Sequence, residues 1–312
     1  MTGEGRFAPT LDNLTEGAAR IVHEREKRMG YLSELAEALL DAALDAGGED
    51  TPRVLLSAIA ALIPACKAQP PHDAALPSQH TALWHSALFS VDVLDRACLA
   101  LAVRRSLERH FGRPMTLSEV GDGALPLPGR ERVVYVKNPL ADAAYARLSV
   151  LLSSPTVGHR QSFRELFDDV ENHYADYAVV PLFADGVAVQ SVSSLFYDYG
   201  LKICAVSAVP TEEGEILFAL VTRGAVVHRP PKCFMFHILP EHGAAPLALF
   251  DAIAALGASL TRLDPVPLTY DTTCFGYRVI AAAEDADAFV TLSVYLSLYA
   301  PGYTGYGFYT QI

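Results

Sequence analysis

At residues 121–130, GDGALPLPGR, the apolar residues of this 312-residue chain stop recurring every three or four positions and begin to recur as strands do. The Gly and Pro content of that stretch breaks regular structure. The chain must therefore fold as a helical part followed by an α/β part. Upstream, Leu14, Ala18, Ile21, Val22, Met29, Leu32, Leu35, Leu39 and Leu40 place one long helix over 11–46, which Gly47-Gly48 ends. A second helix starts at Thr51-Pro52, carries Val54, Leu55, Ile59 and Leu62, and is expected to break at Pro64. A third runs from about Thr81 to His110 through Leu83, Trp84, Leu88, Val91, Leu94, Leu99 and Leu101 and stops at Gly112.

Downstream the order is strand (VVYV), helix (ADAAYARLSVLL), a turn around Pro155, helix (SFRELFDDVENHY), strand (YAVVPLF), helix (VQSVSSLFYDY), strand (LKICAVSAV), and a polar turn into ILFALVTR. This is βα alternation, an α/β layer. Arg229-Pro230-Pro231 makes a second stiff linker. The remainder reads βαββαβ, a ferredoxin-like arrangement. The predicted domains are 1–120 (helical), 130–228 (α/β) and 232–312 (ferredoxin-like).

Composition removes several classes of function. Net charge is −12, from 24 basic and 36 acidic residues, and Lys and Arg never run longer than a pair, so nucleic acid is not an expected partner. No stretch of 18 apolar residues occurs, and MTGEGRFAPTLDN lacks the basic start and apolar core of a leader, which predicts a cytoplasmic protein without membrane contact. Cys66, Cys98, Cys204, Cys233 and Cys274 are scattered among apolar runs, as reduced core cysteines are. His72, His80 and His85 lie close together without a carboxylate cluster. Neither a metal nor a cofactor is expected.

The segment 162–206, SFRELFDDVENHYADYAVVPLFADGVAVQSVSSLFYDYGLKICAV, resembles prephenate dehydratase. Ala175, Asp176, Tyr177, Val180, Pro181, Gly186, Leu201, Lys202 and Ile203 follow the order of that family's segment. Residues 233–267, with Gly243-Ala244 at a strand-helix turn and GASLTRLDPVP after it, resemble the ACT domain that follows the dehydratase. The three N-terminal helices match the length pattern of chorismate mutase, although any helical bundle would give it. The resemblance is thus to the bifunctional chorismate mutase/prephenate dehydratase family. It implies a multidomain α and α/β fold: a three-helix mutase-like domain, a shortened dehydratase-like (periplasmic-binding-protein-like) domain, and a ferredoxin-like ACT domain. It also implies a place in phenylalanine biosynthesis, a homodimer, and a small aromatic metabolite or amino-acid effector.

The chain departs from the family where its chemistry resides. Phe183-Ala184-Asp185 stands where the family has Glu-Asn-Ser, Ile216-Leu217-Phe218 stands for the catalytic Thr-Arg-Phe, and Asn138-Pro139-Leu140-Ala141-Asp142 replaces a hydroxyl-bearing loop. LKICAVSAV passes almost directly to ILFALVTR, which leaves no room for the family's second lobe. For a mutase-like pocket the candidates are Arg25, Arg28, Asp50 and Arg53, yet Val54 replaces a Glu and the helix-1 Lys position falls at Ala36 or Leu39. Charged residues in HEREKR more often form a solvated helical face. For the effector the candidates are Gly243, Ala244 and Asp264, but Pro265 and Val266 replace the family's Ser and Arg. Two readings stay open: a regulatory or assembly protein with lost dehydratase activity, and an active chorismate- or prephenate-processing enzyme with a rearranged site. An unrelated α/β binding module is a third.

Overall fold

The computed structural model describes residues 11–47, 50–68, 92–121, 131–239, 247–268, 271–300 and 302–312. The first third holds α1 (Leu11–Asp45), α2 (Pro52–Ala68), α3 (Val93–Phe111) and a single turn, α4 (Leu117–Val120). Helix α2 does not break at Pro64 but continues to Ala68. A proline inside a helix forfeits one hydrogen bond and bends it, and the buried stripe of Leu55, Leu56, Ile59 and Ile63 outweighs that loss. The expected start of the third helix at Thr81 lies outside the described residues. Its described part begins at Asp92, whose side chain accepts the Leu94 amide, and ends at Gly112 in the left-handed conformation (φ 65°).

The α/β layer contains β1 (Arg132–Val136), α5 (Pro139–Leu148), β2 (Thr156–Arg160), α6 (Phe163–Glu171), β3 (Tyr177–Ala184), β4 (Val187–Ala188), α7 (Gln190–Tyr199), β5 (Lys202–Pro210) and β6 (Glu215–Thr222). The strand order is β2-β1-β3-β6-β5, with β4 folded back on β3. Strands β1, β2 and β3 are parallel, whereas β6 runs antiparallel to both β3 and β5. Two strands went unread in the sequence. TVGHR forms the edge strand β2, largely exposed and so without the alternation that marks a half-buried strand; β4 has only two residues.

The second sheet is β7 (Cys233–Ile238), β8 (Ser259–Leu268), β9 (Asp271–Ala282) and β10 (Thr304–Tyr309), ordered β10-β7-β9-β8 and antiparallel throughout. Helices α8 (Leu247–Ala255) and α9 (Ala286–Tyr299) complete a βαββαβ unit.

Three cores hold these parts together. One lies between α5 and the first sheet, and another between α6, α7 and the opposite face of that sheet, which also receives Met235, Ile280, Tyr306 and Tyr309 of the second sheet. The third joins the helices of the first third to α8, α9 and the remaining face of the second sheet. Arg104 of α3 ties that core, donating from Nη1 to the Asp287 carbonyl and to Thr291 Oγ1, both at 2.9 Å. The sheets meet where the Val206 amide donates to the Thr310 carbonyl and the Ile312 amide donates to the Val206 carbonyl. Gly307 (φ 134°) permits the approach, since a Cβ there would lie 2.1 Å from the Ile203 carbonyl oxygen. Among the described residues, no helix is long and apolar enough to cross a membrane.

Candidate functional site

Parallel strands β1 and β3 end at the same side of the first sheet, and α5, α6 and α7 begin there, which is where open α/β sheets place ligands. A cavity of about 520 Å³ occupies this edge. Asn138 ends the turn out of β1: its Oδ1 accepts the Ala141 amide at 2.9 Å, its Nδ2 donates to the Val136 carbonyl at 3.1 Å, and Pro139 opens α5. Ser162 caps α6 in the same way, accepting the Glu165 amide. Leu140, Phe163, Pro181, Ala184, Val189, Ile216 and Phe218 supply most of the wall. Among the described residues, none that lines the cavity carries a titratable side chain.

The three segments that depart from the family pattern meet here. Asn138–Ala141, Ala184, and Ile216 with Phe218 all line this one cavity, although about 80 residues separate the first from the last. Sheet order explains the convergence, since β6 lies beside β3 and β3 beside β1. Strands β5 and β6 are joined by a turn closed by the Thr211 amide on the Gly214 carbonyl at 2.8 Å, so the chain passes between them without a second lobe. General acid–base chemistry needs a proton carrier within hydrogen-bond reach of the reacting group. The cavity wall offers none.

No family model matches the chain, and no curated protein matches it. Solved structures do match. Prephenate dehydratase from Streptococcus mutans superposes with a TM-score of 0.50 at 14% identity, covering 58% of this chain and 98% of that one. The fold is prephenate dehydratase-like. Two further dehydratase structures match less closely. The Arthrobacter aurescens enzyme, solved in complex with L-Phe, has TM-score 0.45 and 13% identity, covering 57% and 90%. The enzyme from Staphylococcus aureus subsp. aureus Mu50 has 0.41 and 12%, covering 57% and 100%.

The mutase candidates do not converge. Arg25 is exposed. Arg28 pairs with Asp95, at the start of α3. Asp50 meets His110 Nε2 at 3.3 Å, at the other end of α3. Fifteen helical residues separate Asp95 from His110, about 22 Å. Arg53 lines a different depression, of about 280 Å³, with Glu119, Ser297 and Tyr303. Ala36 and Leu39 are buried in the core. Gly243 and Ala244 lie outside the described residues.

Asp264 faces inward rather than toward an open site. Its Oδ2 accepts Arg262 Nε at 2.6 Å and Arg278 Nη2 at 3.0 Å. Burial pushes its carboxyl upward, but the hydrogen bonds and charges of the two guanidinium groups overcome this and hold it below its ordinary value. Arg278 Nη1 also donates to Ser193 Oγ of α7 at 2.9 Å, and Arg262 Nη2 donates to the Gly186 carbonyl in the β3–β4 turn. Both guanidinium groups stack over the Phe183 ring, 4.1 and 4.9 Å from its centre. His237, opposite Arg278 in the ladder, is buried, and neither ring nitrogen finds a hydrogen-bond partner among the described residues. Burial first, and Arg278 second, lower its pKa to about 4. Of this polar row, which fastens the second sheet to the β3–β4 turn and α7, the sequence reading names Asp264, as an effector contact; Arg278, a charged residue inside the apolar strand FGYRVI, and His237 it passes over. Among the described residues, no group of three or more His, Cys, Asp or Glu is placed to hold a metal.

Proposed function

We propose that this chain is a divergent prephenate dehydratase/chorismate mutase-like protein of aromatic amino-acid metabolism that has lost dehydratase activity and acts as a regulatory or assembly element. The observation that carries this reading is the meeting of three altered segments on one apolar cavity in a single-lobed sheet. Dehydration of prephenate requires a proton donor for the departing hydroxyl and positioned donors for two carboxylates. Apolar walls supply neither, and stripping water from a carboxylate against them is costly. The βαββαβ unit is the natural seat of regulation in this reading, as an ACT domain taking an amino-acid-sized effector.

Incubation with chorismate and, separately, with prephenate tests it. The expected result is that prephenate, phenylpyruvate and other products form no faster than without protein. Turnover of either compound would favour the rival reading, an enzyme with a rearranged site.

A further inference from the structure

We infer that the cavity at the carboxyl ends of β1 and β3 takes an uncharged, ring-sized apolar molecule, and not prephenate or another anion. This rests on the non-catalytic reading above and specifies what its site would hold. Leu140, Phe163, Val189 and Ile216 are only half-buried, so the wall keeps apolar surface in water that a bound ring would cover. The volume, about 520 Å³, lies in the range of small-molecule sites. The wall is drawn from β1, α5, α6, β3, the start of α7, and β6, which makes it concave, unlike the broad flat patch that another protein would need.

Charge complementarity decides the chemical class. Among the described residues the wall has no cation, and both groups of the Asn138 amide are already engaged, with the Ala141 amide and the Val136 carbonyl. At the starts of α5 and α6 the side chains of Asn138 and Ser162 each occupy one first-turn amide, of Ala141 and Glu165, that an anion could otherwise use. Helix α7, whose N-cap Val189 offers no side-chain cap, leaves first-turn amides open to a ligand oxygen, a polar feature on a largely apolar rim. Two carboxylates would lose their water and regain little.

Indole is the probe, with phenylpyruvate and prephenate as charged counterparts of similar ring size, measured by titration calorimetry on the full chain. Indole should bind saturably and at least tenfold more tightly than either acid. Ala184→Phe and Ile216→Trp, which fill the cavity from two strands, should each weaken indole at least tenfold; circular dichroism identifies a variant that fails to fold, and the other then serves. Absence of saturable indole binding, acids that bind as tightly as indole, or folded variants that bind indole normally would each overturn the inference. So would a change in molar mass by light scattering in a folded, filled variant, because the cavity would then be an interface between copies. Prephenate turnover would instead overturn the non-catalytic reading. Failure of indole without turnover would overturn the ligand class alone.

Discussion

His237 sits fully buried between the rings of Tyr197 and Tyr306, with Arg278 opposite it and Gly276 beneath, where a Cβ would lie 1.9 Å from Nε2. Its pKa is about 4 folded against an ordinary 6.5, so the unfolded chain binds the proton more readily. Stability is therefore complete above pH 6.5 and falls as the pH drops toward 4, by roughly 3 kcal/mol for a shift of that size. Asp264, whose carboxyl lies below its ordinary value, adds a loss in the same direction as acid neutralises it. His237→Phe keeps a ring against both tyrosines and removes the titration; chemical denaturation at pH 7 and pH 4.5 should show a smaller stability difference than in the unaltered protein. An equal difference would mean that His237 does not carry the effect. Asp264→Ala leaves the buried Arg278 guanidinium without its carboxylate and should cost about 3–5 kcal/mol in urea unfolding. Adding Arg278→Met should recover most of that loss.

Elements whose apolar or strand-forming run is long and bounded by turn residues were legible in the sequence: β8 and α9 fall where SLTRLDPVPL and ADAFVTLSVYLSLY place them. The exposed strand β2, the two-residue β4 and the helix through Pro64 were not, because edge exposure, brevity and tertiary packing override local pattern. The cavity was half legible. Segments 138–142, 183–185 and 216–218 stood out as altered, but only the strand order brings them together. His237 and Arg278 gain meaning only where the second sheet abuts α7, which no local pattern announces. Helix α1 makes a prediction of its own. Of its 35 residues, those from Thr15 to Tyr31 are largely exposed, with Ile21 at 71% and Val22 at 55%. A helical arm this exposed is marginal in water unless a partner covers its apolar stripe. Packing of two copies of this arm against each other would cover Ile21 and Val22. Strand β8 is a poor alternative, because Pro265 and Pro267 remove amide donors from its outer edge. Light scattering should therefore give a dimer, and Ile21→Glu with Val22→Glu a monomer; a monomeric unaltered protein would refute this.

Taken whole, the chain is a dehydratase-like sheet pinned to a βαββαβ unit, which shares its outer core with the N-terminal helices. On the reading proposed above, dehydration fails for want of a second lobe and not merely of side chains: a single-lobed sheet leaves an open cavity where a closed cleft is needed to exclude water and orient prephenate. The most direct measurement is the rate of phenylpyruvate formation from prephenate at neutral pH, for the unaltered protein and for Ile216→Thr with Leu217→Arg, which restores the family's catalytic pair. Both should match the spontaneous rate. Turnover well above it by the double variant would contradict this account, since it would mean that two side chains were all the chain had lost.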